Sequence, residues 1–424
     1  MSEDVVNEII YRHYFESGDF NGIPVYKLQK ALGLSLPELK ELTRELIANE
    51  NADCVFGNVH PNAHIKAYSE ITISQQLEWL DQLEFSEHFC LYPSKKFLSE
   101  RVDKTSYTDR PYECQLALGA GQLDYRVFDI SVLEYYRNDP RYYYQTDFIN
   151  GQISIHDEFY ESESMPEHDQ ILLQSFGFAF DDDFNRAVAV FIRYLSDLSP
   201  EHQKIWKAKE ISGAYKLHPD YYRNSLLGDW GTRISLFDAF LQEIKVINEM
   251  AEIMGKKQLF KSDYYEQKPD EFGFLLRPTL REFNNFVLLL DKMMSDNINK
   301  EFFAGDIDLE KDEVRSDGKI VVTQRGTIAL LDDWVKRFFR PVDPEPIEDM
   351  LSSFRKVRKL RQKPAHKIDE NVFDQKYFKD QRQIMLDAYD AIRTIRLILA
   401  NHPRVKASPP QIGKHLKEGK IWDI

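Results

Sequence analysis

Along the first 80 residues, apolar positions recur at helical spacing and then switch to short strand-like runs. Val5, Ile9, Ile10 and Tyr14 define one helix, and Gly18 stops it. Pro24 opens a second, VYKLQKALG, with Gly33 as its C-terminal stop. Ser35, Leu36, Pro37 and Glu38 form a capping box, which satisfies orphan backbone donors and predicts a third helix to about Asn49. Leu39, Leu42, Leu46 and Ile47 give that helix its apolar face. ADCVFG and AHIKAY then read as two short strands around a turn over 58–62.

From 81 to 277 the pattern is mixed. Tyr142 to Ile155 reads as a hairpin with Asn150-Gly151 in a type I′ turn. ILLQSFGFAF reads as a buried strand, followed by Asp181, Asp182 and Asp183. Amphipathic helices are expected at about 184–197 and 234–254. The run from Tyr135 to Tyr144 interleaves five tyrosines with Arg137 and Arg141; such a run can stack bases, but half-buried strands also favour tyrosine, and packing is the expectation. The three aspartates could hold Mg²⁺ only with a distant partner, and none is identifiable; an acidic loop before a helix is the expected reading. No Gly-rich phosphate loop or nucleophile elbow appears, and neither a metal nor a cofactor is expected.

Beyond Pro278 the periodicity is helical to the end of the long patterns. Phe283, Phe286, Val287, Leu290, Met293, Met294 and Ile298 trace one stripe. A polar connector at about 304–325 precedes GTIALLDDWVKRFF, a third helix runs from Pro346 to about Arg361, and a fourth spans about 375–400. Four antiparallel helices make a bundle. The expected organisation is multidomain α+β: a module at 1–80, a mixed domain at 81–277, a helical bundle at 278–402 and a tail at 403–424.

Charge sharpens this picture. The chain carries a net charge of −15, yet Arg355 to Lys367, RKVRKLRQKPAHK, holds seven Lys or Arg and no acid. Ile347, Met350, Leu351, Phe354 and Val357 define the apolar stripe of its helix. Arg355, Lys356 and Lys359 fall off that stripe, whereas Arg358 and Arg361 fall on it. Two inward guanidiniums need a carboxylate, a phosphate or a helix–helix seam to meet. Pro364 ends the helix, so His366 sits in the following turn. Three widely spaced cysteines, Cys54, Cys90 and Cys114, suit buried thiols rather than a disulfide or zinc framework. The acidic start MSEDVVNEII and the shortness of runs such as Phe286 to Leu290 lead to the expectation of a cytoplasmic chain.

The order helix, helix, turn, helix, two strands resembles a winged helix-turn-helix domain over about 65 residues. That resemblance implies DNA binding, but through residue 80 there are six Lys or Arg against twelve Asp or Glu. Glu38, Glu41 and Glu45 lie on the would-be recognition helix, which would repel a phosphate backbone. A protein partner is the expectation for this module.

The bundle at about 278–402, with Arg-x4-His at Arg361 and His366, resembles the HEPN superfamily and its R-x(4–6)-H signature. The resemblance implies a homodimer in which two motifs meet and cleave RNA without metal, as stress or phage-defence effectors do. Arg361 would then hold the scissile phosphate, and His366 would orient it or move the proton of the attacking hydroxyl. Arg355, Lys356, Arg358, Lys359, Lys363 and Lys367 would bind the nucleic acid. Arg396 and His402 match the same signature, but at the end of the last helix. The alternative is a non-enzymatic regulator or adaptor that binds nucleic acid or protein. A third reading places the active site in the middle region, with the basic helix structural.

Overall fold

A computed structural model describes residues 3–57, 63–66, 71–160, 165–229, 231, 233–314, 320–362 and 370–422. The chain divides into two compact units, Met1–Trp230 and Gly231–Ile424, with four sheets among the described residues. The first unit carries 21 Lys or Arg against 38 Asp or Glu, and the second 34 against 32. The negative excess of the chain therefore belongs entirely to the first unit.

The first unit begins with helices α1 (Glu3–Glu16), α2 (Val25–Leu32), α3 (Leu36–Ala48) and α4 (Ile73–Gln82). They surround a small antiparallel sheet of β1 (Ile23–Pro24), β2 (Ala52–Val55) and β3 (Cys90–Pro93), in the order β1-β3-β2. Val6, Ile10, Leu28, Leu39, Leu46 and Leu80 fill its core. The capping box forms: the Ser35 backbone N–H and hydroxyl both donate to Glu38 Oε2, at 2.8 and 2.6 Å. The expected second strand, AHIKAY, does not form over its described residues, and Ala67 and Tyr68 lie outside them. Residues 63–66 are turn, and β2 pairs instead with β3, which follows α4. Buried Lys66 explains the turn, because its ammonium reaches Asp53 Oδ2 at 2.8 Å, placing 63–66 against the sheet through side chains rather than a ladder. The register sets Val55 opposite Cys90 and Cys54 opposite Leu91, so the two thiols face opposite sides of the sheet and cannot bridge. Burial pushes the Cys90 thiol up to about 12.

The remainder of this unit is built on a six-stranded antiparallel sheet. Its strands are β4 (Tyr125–Phe128), β5 (Tyr142–Thr146), β6 (Asn150–Ile155), β7 (Leu172–Phe180), β8 (Arg186–Phe191) and β9 (Lys216–Leu217). The order is β4-β8-β7-β6-β5, with β9 also on β7. Two expectations are corrected here. The stretch expected as a helix at 184–197 is strand β8 followed by a short helix, Ile192–Ser196. RAVAVF is buried on both faces, so it lacks the alternation that marks a strand. The β5–β6 turn is Asp147-Phe148-Ile149 rather than Asn150-Gly151. Asp147 Oδ1 accepts the amides of Ile149 and Asn150 at 2.9 and 2.8 Å, while Gly151 lies in the strand, where a Cβ would meet the Phe176 ring at 2.3 Å.

The second unit is helical. Its long helices are α5 (Leu236–Ile253), α6 (Leu280–Met294), α7 (Thr327–Phe338), α8 (Glu345–Gln362) and α9 (Lys376–Ala400). Strands β10 (Ile234–Ser235) and β13 (Ile421–Trp422) pair in parallel, and β11 (Glu310–Val314) with β12 (Ile320–Gln324) forms a hairpin inside the expected connector. The expected boundary at 277/278 falls inside this unit, because α5 is buried along most of its length and packs on α9. The expected tail packs back as well, through Pro403–Ala407, Lys414–Glu418 and β13. Packing joins α5 to α9, α9 to α8 and α8 to α6, whereas α7 sits on α8 and on the turn Lys300–Phe303. The four expected bundle helices are all present, with α5 as a fifth. They are not uniformly antiparallel, since α6 and α8 bring their C-terminal turns together. Among the described residues, no helix is long and apolar enough to cross a membrane.

Candidate functional site at the C-terminal turns of α6 and α8

Helix α8 buries Ile347, Met350, Leu351, Phe354 and Val357, which fixes the direction of every other side chain on it. Arg358 and Arg361 consequently point at α6. Helix α6 buries Phe283, Phe286, Val287, Leu290, Met293 and Met294, and Asp291 lies on the same stripe, one helical repeat after Val287. Asp291 has no exposed side-chain surface. Arg358 Nε donates to Asp291 Oδ1 at 3.0 Å, and Arg361 Nη1 donates to Asp291 Oδ2 at 2.6 Å. Just past the end of α6, Asp296 accepts Arg358 Nη2 at 2.7 Å and Arg361 Nη1 at 2.5 Å. Each guanidinium bridges both carboxylates, so two positive and two negative charges close a ring with no net charge.

The electrostatics follow from this closure. Burial raises the Asp296 carboxyl, but Arg361 and Arg358 outweigh it and hold the group below the usual carboxylate range. Its bonds to Asp291 and then Asp296 push the Arg361 guanidinium above its usual value. A phosphate could reach Arg361 only in competition with two carboxylates, one of them fully buried.

The outward cations behave differently. Arg355 Nη2 meets Asp332 Oδ2 of α7 at 2.8 Å, and Lys336 reaches the other oxygen of Asp332 at 2.8 Å. Lys356 meets Asp387 of α9 at 2.7 Å, and Lys359 is exposed. A groove of about 350 Å³ between α7 and α8 is lined by Asp332, Asp333, Arg355, Arg358, Lys359 and Gln362, among others. A larger one of about 610 Å³, between α8 and α9, carries Glu345, Asp349, Asp387 and Asp390 against Lys356 and Arg393. Lys363, His366 and Lys367 lie outside the described residues, so Arg361 is placed without its motif partner.

The other candidates resolve into packing. Arg396 is buried and donates through Nε to Glu243 Oε2 of α5, while His402 opens the following short helix. In the tyrosine run, Tyr136 is buried. Its hydroxyl accepts from Trp206 Nε1 at 3.0 Å and pairs with His202 Nδ1 at 2.9 Å. Because the Asp169 carbonyl can only accept, the His202 proton is on Nε2, which donates to it at 3.0 Å, so Nδ1 accepts from the Tyr136 hydroxyl; burial lowers the imidazole below its usual value. Arg141 is paired with Asp139 at 2.6 Å. Asp181 closes the β7–β8 turn by accepting the amides of Asp183 and Asn185, and Asp182 pairs with Lys216. No group of three His, Cys, Asp or Glu could hold a metal among the described residues.

Asp291 and Asp296 were not anticipated as the partners of Arg358 and Arg361. The available signal was Asp291 itself, an acid on the apolar stripe of α6. Compared with known proteins, the chain matches no family model, no curated protein and no solved structure.

Proposed function

We propose that the protein is a non-enzymatic nucleic-acid-binding protein that docks RNA on the outward cations of α8. What supports the reading is the division within one basic helix. Arg358 and Arg361 are each engaged by both Asp291 and Asp296, whereas exposed Arg355, held by Asp332 alone among the described residues, and exposed Lys359 border an open groove that Arg358 also lines. The negative excess lies in the first unit, and the second is close to neutral with 34 Lys or Arg against 32 Asp or Glu, so polyanion binding there has to rely on such a local concentration of cations. Labelled single-stranded RNA should bind with steep salt dependence, and Arg355→Gln with Lys359→Gln should weaken binding and flatten the slope by about one unit per lost phosphate contact. Unchanged affinity in that double variant would sink the proposal. On α3, Glu38, Glu41 and Glu45 are exposed and Arg44 is paired with Asp81, which suits a protein partner with a basic surface for this module.

One observation favours a second reading, an RNA-cleaving homodimer. Arg361 keeps 30% of its side chain exposed at the helix end that leads to His366. Cleavage would require Arg361 to exchange Asp296 for a phosphate oxygen. Metal-free cleavage of RNA by the purified protein, abolished by His366→Ala, would establish this reading in place of the first.

A further inference from the structure

We infer that the β11–β12 hairpin is a dimerisation arm, in which β12 pairs with the β12 of a second copy of this chain, antiparallel across a two-fold axis at Val322. Such pairing needs no nucleic acid and stands apart from RNA docking on α8. β11 and β12 make a sheet of two strands that pack chiefly on each other. A two-stranded hairpin is marginal in water, and further strands are what give such a ribbon stability. Its base is fixed to the helical body. Arg325 N donates to Leu309 O at 3.0 Å, Arg325 Nη1 donates to Asp308 O at 3.0 Å, and the same guanidinium pairs with Asp333 of α7.

The register decides which groups are open. Arg325 and Leu309 form a hydrogen-bonded pair, and such pairs alternate along an antiparallel ladder. Thr323 with Lys311 and Val321 with Glu313 are then bonded pairs. Gln324 with Glu310, Val322 with Asp312 and Ile320 with Val314 turn their N–H and C=O groups outward. Among the described residues no further strand meets those groups.

The two edges differ in what guards them. β11 carries exposed Glu310, Lys311 and Asp312, and charge on an edge strand discourages pairing. β12, IVVTQ, has no charge and no proline, and Ile320 and Val322 are 66% and 57% exposed on one face. A second β12 is its complement. With Val322 opposite itself, Ile320 falls opposite Gln324 on both sides of the axis, and every outward N–H meets an outward carbonyl. Ile320 and Val322 of both protomers then share one face of a continuous sheet, and no like charges meet. Pairing β11 with β11 would set Asp312 against Asp312, and pairing β12 with β11 would leave an open edge at each end of a growing ladder.

The test is sedimentation equilibrium of the full chain over a wide concentration range, without nucleic acid. The parent should pass from monomer to dimer as concentration rises and stop there. Val322→Pro removes an outward N–H but none of the hairpin's own bonded pairs. It should weaken association about tenfold or more, since both hydrogen bonds on the axis go together. Asp312→Pro makes the same change on the other edge and should leave association unchanged, which controls for damage to the hairpin. Val322→Cys gives a gain rather than a loss. Bonded pairs hold their Cα atoms about 5.5 Å apart, within reach of a disulfide, so mild oxidation should trap a covalent dimer. The parent, whose Cys54 and Cys90 are buried, should form none under the same treatment. A parent that stays monomeric at every concentration overturns the inference, as does association indifferent to Val322→Pro. Covalent trapping through Asp312→Cys but not Val322→Cys would move the contact to β11, and polymers that grow with concentration would put β12 on β11. Either result overturns the two-fold arm.

Discussion

Replacing Asp291 with alanine isolates what the charge ring contributes. The carboxylate is fully buried and accepts one charge-assisted hydrogen bond from each guanidinium, at 3.0 and 2.6 Å. Removing it leaves Arg358 and Arg361 sharing Asp296 alone, with one positive charge in excess beside the seam. Breaking a buried ion pair at one partner costs about 3–5 kcal/mol. Asp296 is 41% exposed, and water replaces much of what it offers, so Asp296→Ala should cost about 1 kcal/mol. The two substitutions share partners, and their effects should not add. Because the chain has two compact units, a single melting temperature mixes them, and the readout should be local. Hydrogen exchange of peptides from α6 and α8 in a urea series reads the free energy of opening at the seam itself. If Asp291→Ala lowers that free energy by no more than Asp296→Ala does, burial is not what makes the ring matter.

Three further outcomes follow from other sites. Tyr136→Phe leaves the Trp206 indole N–H and His202 Nδ1 without their shared hydroxyl, and should destabilise the first unit by about 2–4 kcal/mol with a red-shifted tryptophan emission. Gly151→Ala would set a Cβ 2.3 Å from the Phe176 ring and 2.6 Å from the Gln145 carbonyl, so the unit should lose about 1–3 kcal/mol in denaturant unfolding. Burial lowers His218 to about 4 from 6.5, with Arg186 assisting and Asp220 opposing. The unfolded chain therefore binds the extra proton first, and stability should fall by about 3 kcal/mol as pH drops from 6.5 to 4. His218→Leu should flatten that dependence in acid titrations followed by exchange of β7, leaving the smaller contribution of His202 in the same direction.

How much of this was legible depended on whether burial was one-sided. Helices with one apolar stripe could be read closely from periodicity: α9 was expected at about 375–400 and spans 376–400, and α5 was expected at about 234–254 and spans 236–253. β8 was misread because RAVAVF is buried on both faces and shows no period of two. AHIKAY failed for a different reason, since the pairing of Lys66 with Asp53 depends on a residue in another element. Asn150-Gly151 is a strong local turn signal, yet packing of Gly151 against Phe176 moved the turn to Asp147. The inward direction of Arg358 and Arg361, and their need for a counter-charge, could be read from the stripe alone. Which acids would answer could not, because Asp291 and Asp296 lie a whole helix, a hairpin and a connector earlier in sequence.

The position of the ring suggests why charge is kept in a seam that leucines could fill. An apolar seam tolerates sliding, since one methyl resembles the next. A one-turn shift of α8, about 5.4 Å, would separate both guanidiniums from Asp291 and strand a buried carboxylate. The ring therefore fixes the axial register of α8 against α6 more than it adds net stability. Register decides what the opposite face of α8 presents, because Arg355 meets Asp332 of α7 only in this alignment. The inward and outward cations of one basic run are thus coupled: Arg358 and Arg361 set the alignment in which Arg355 and Lys359 border the groove.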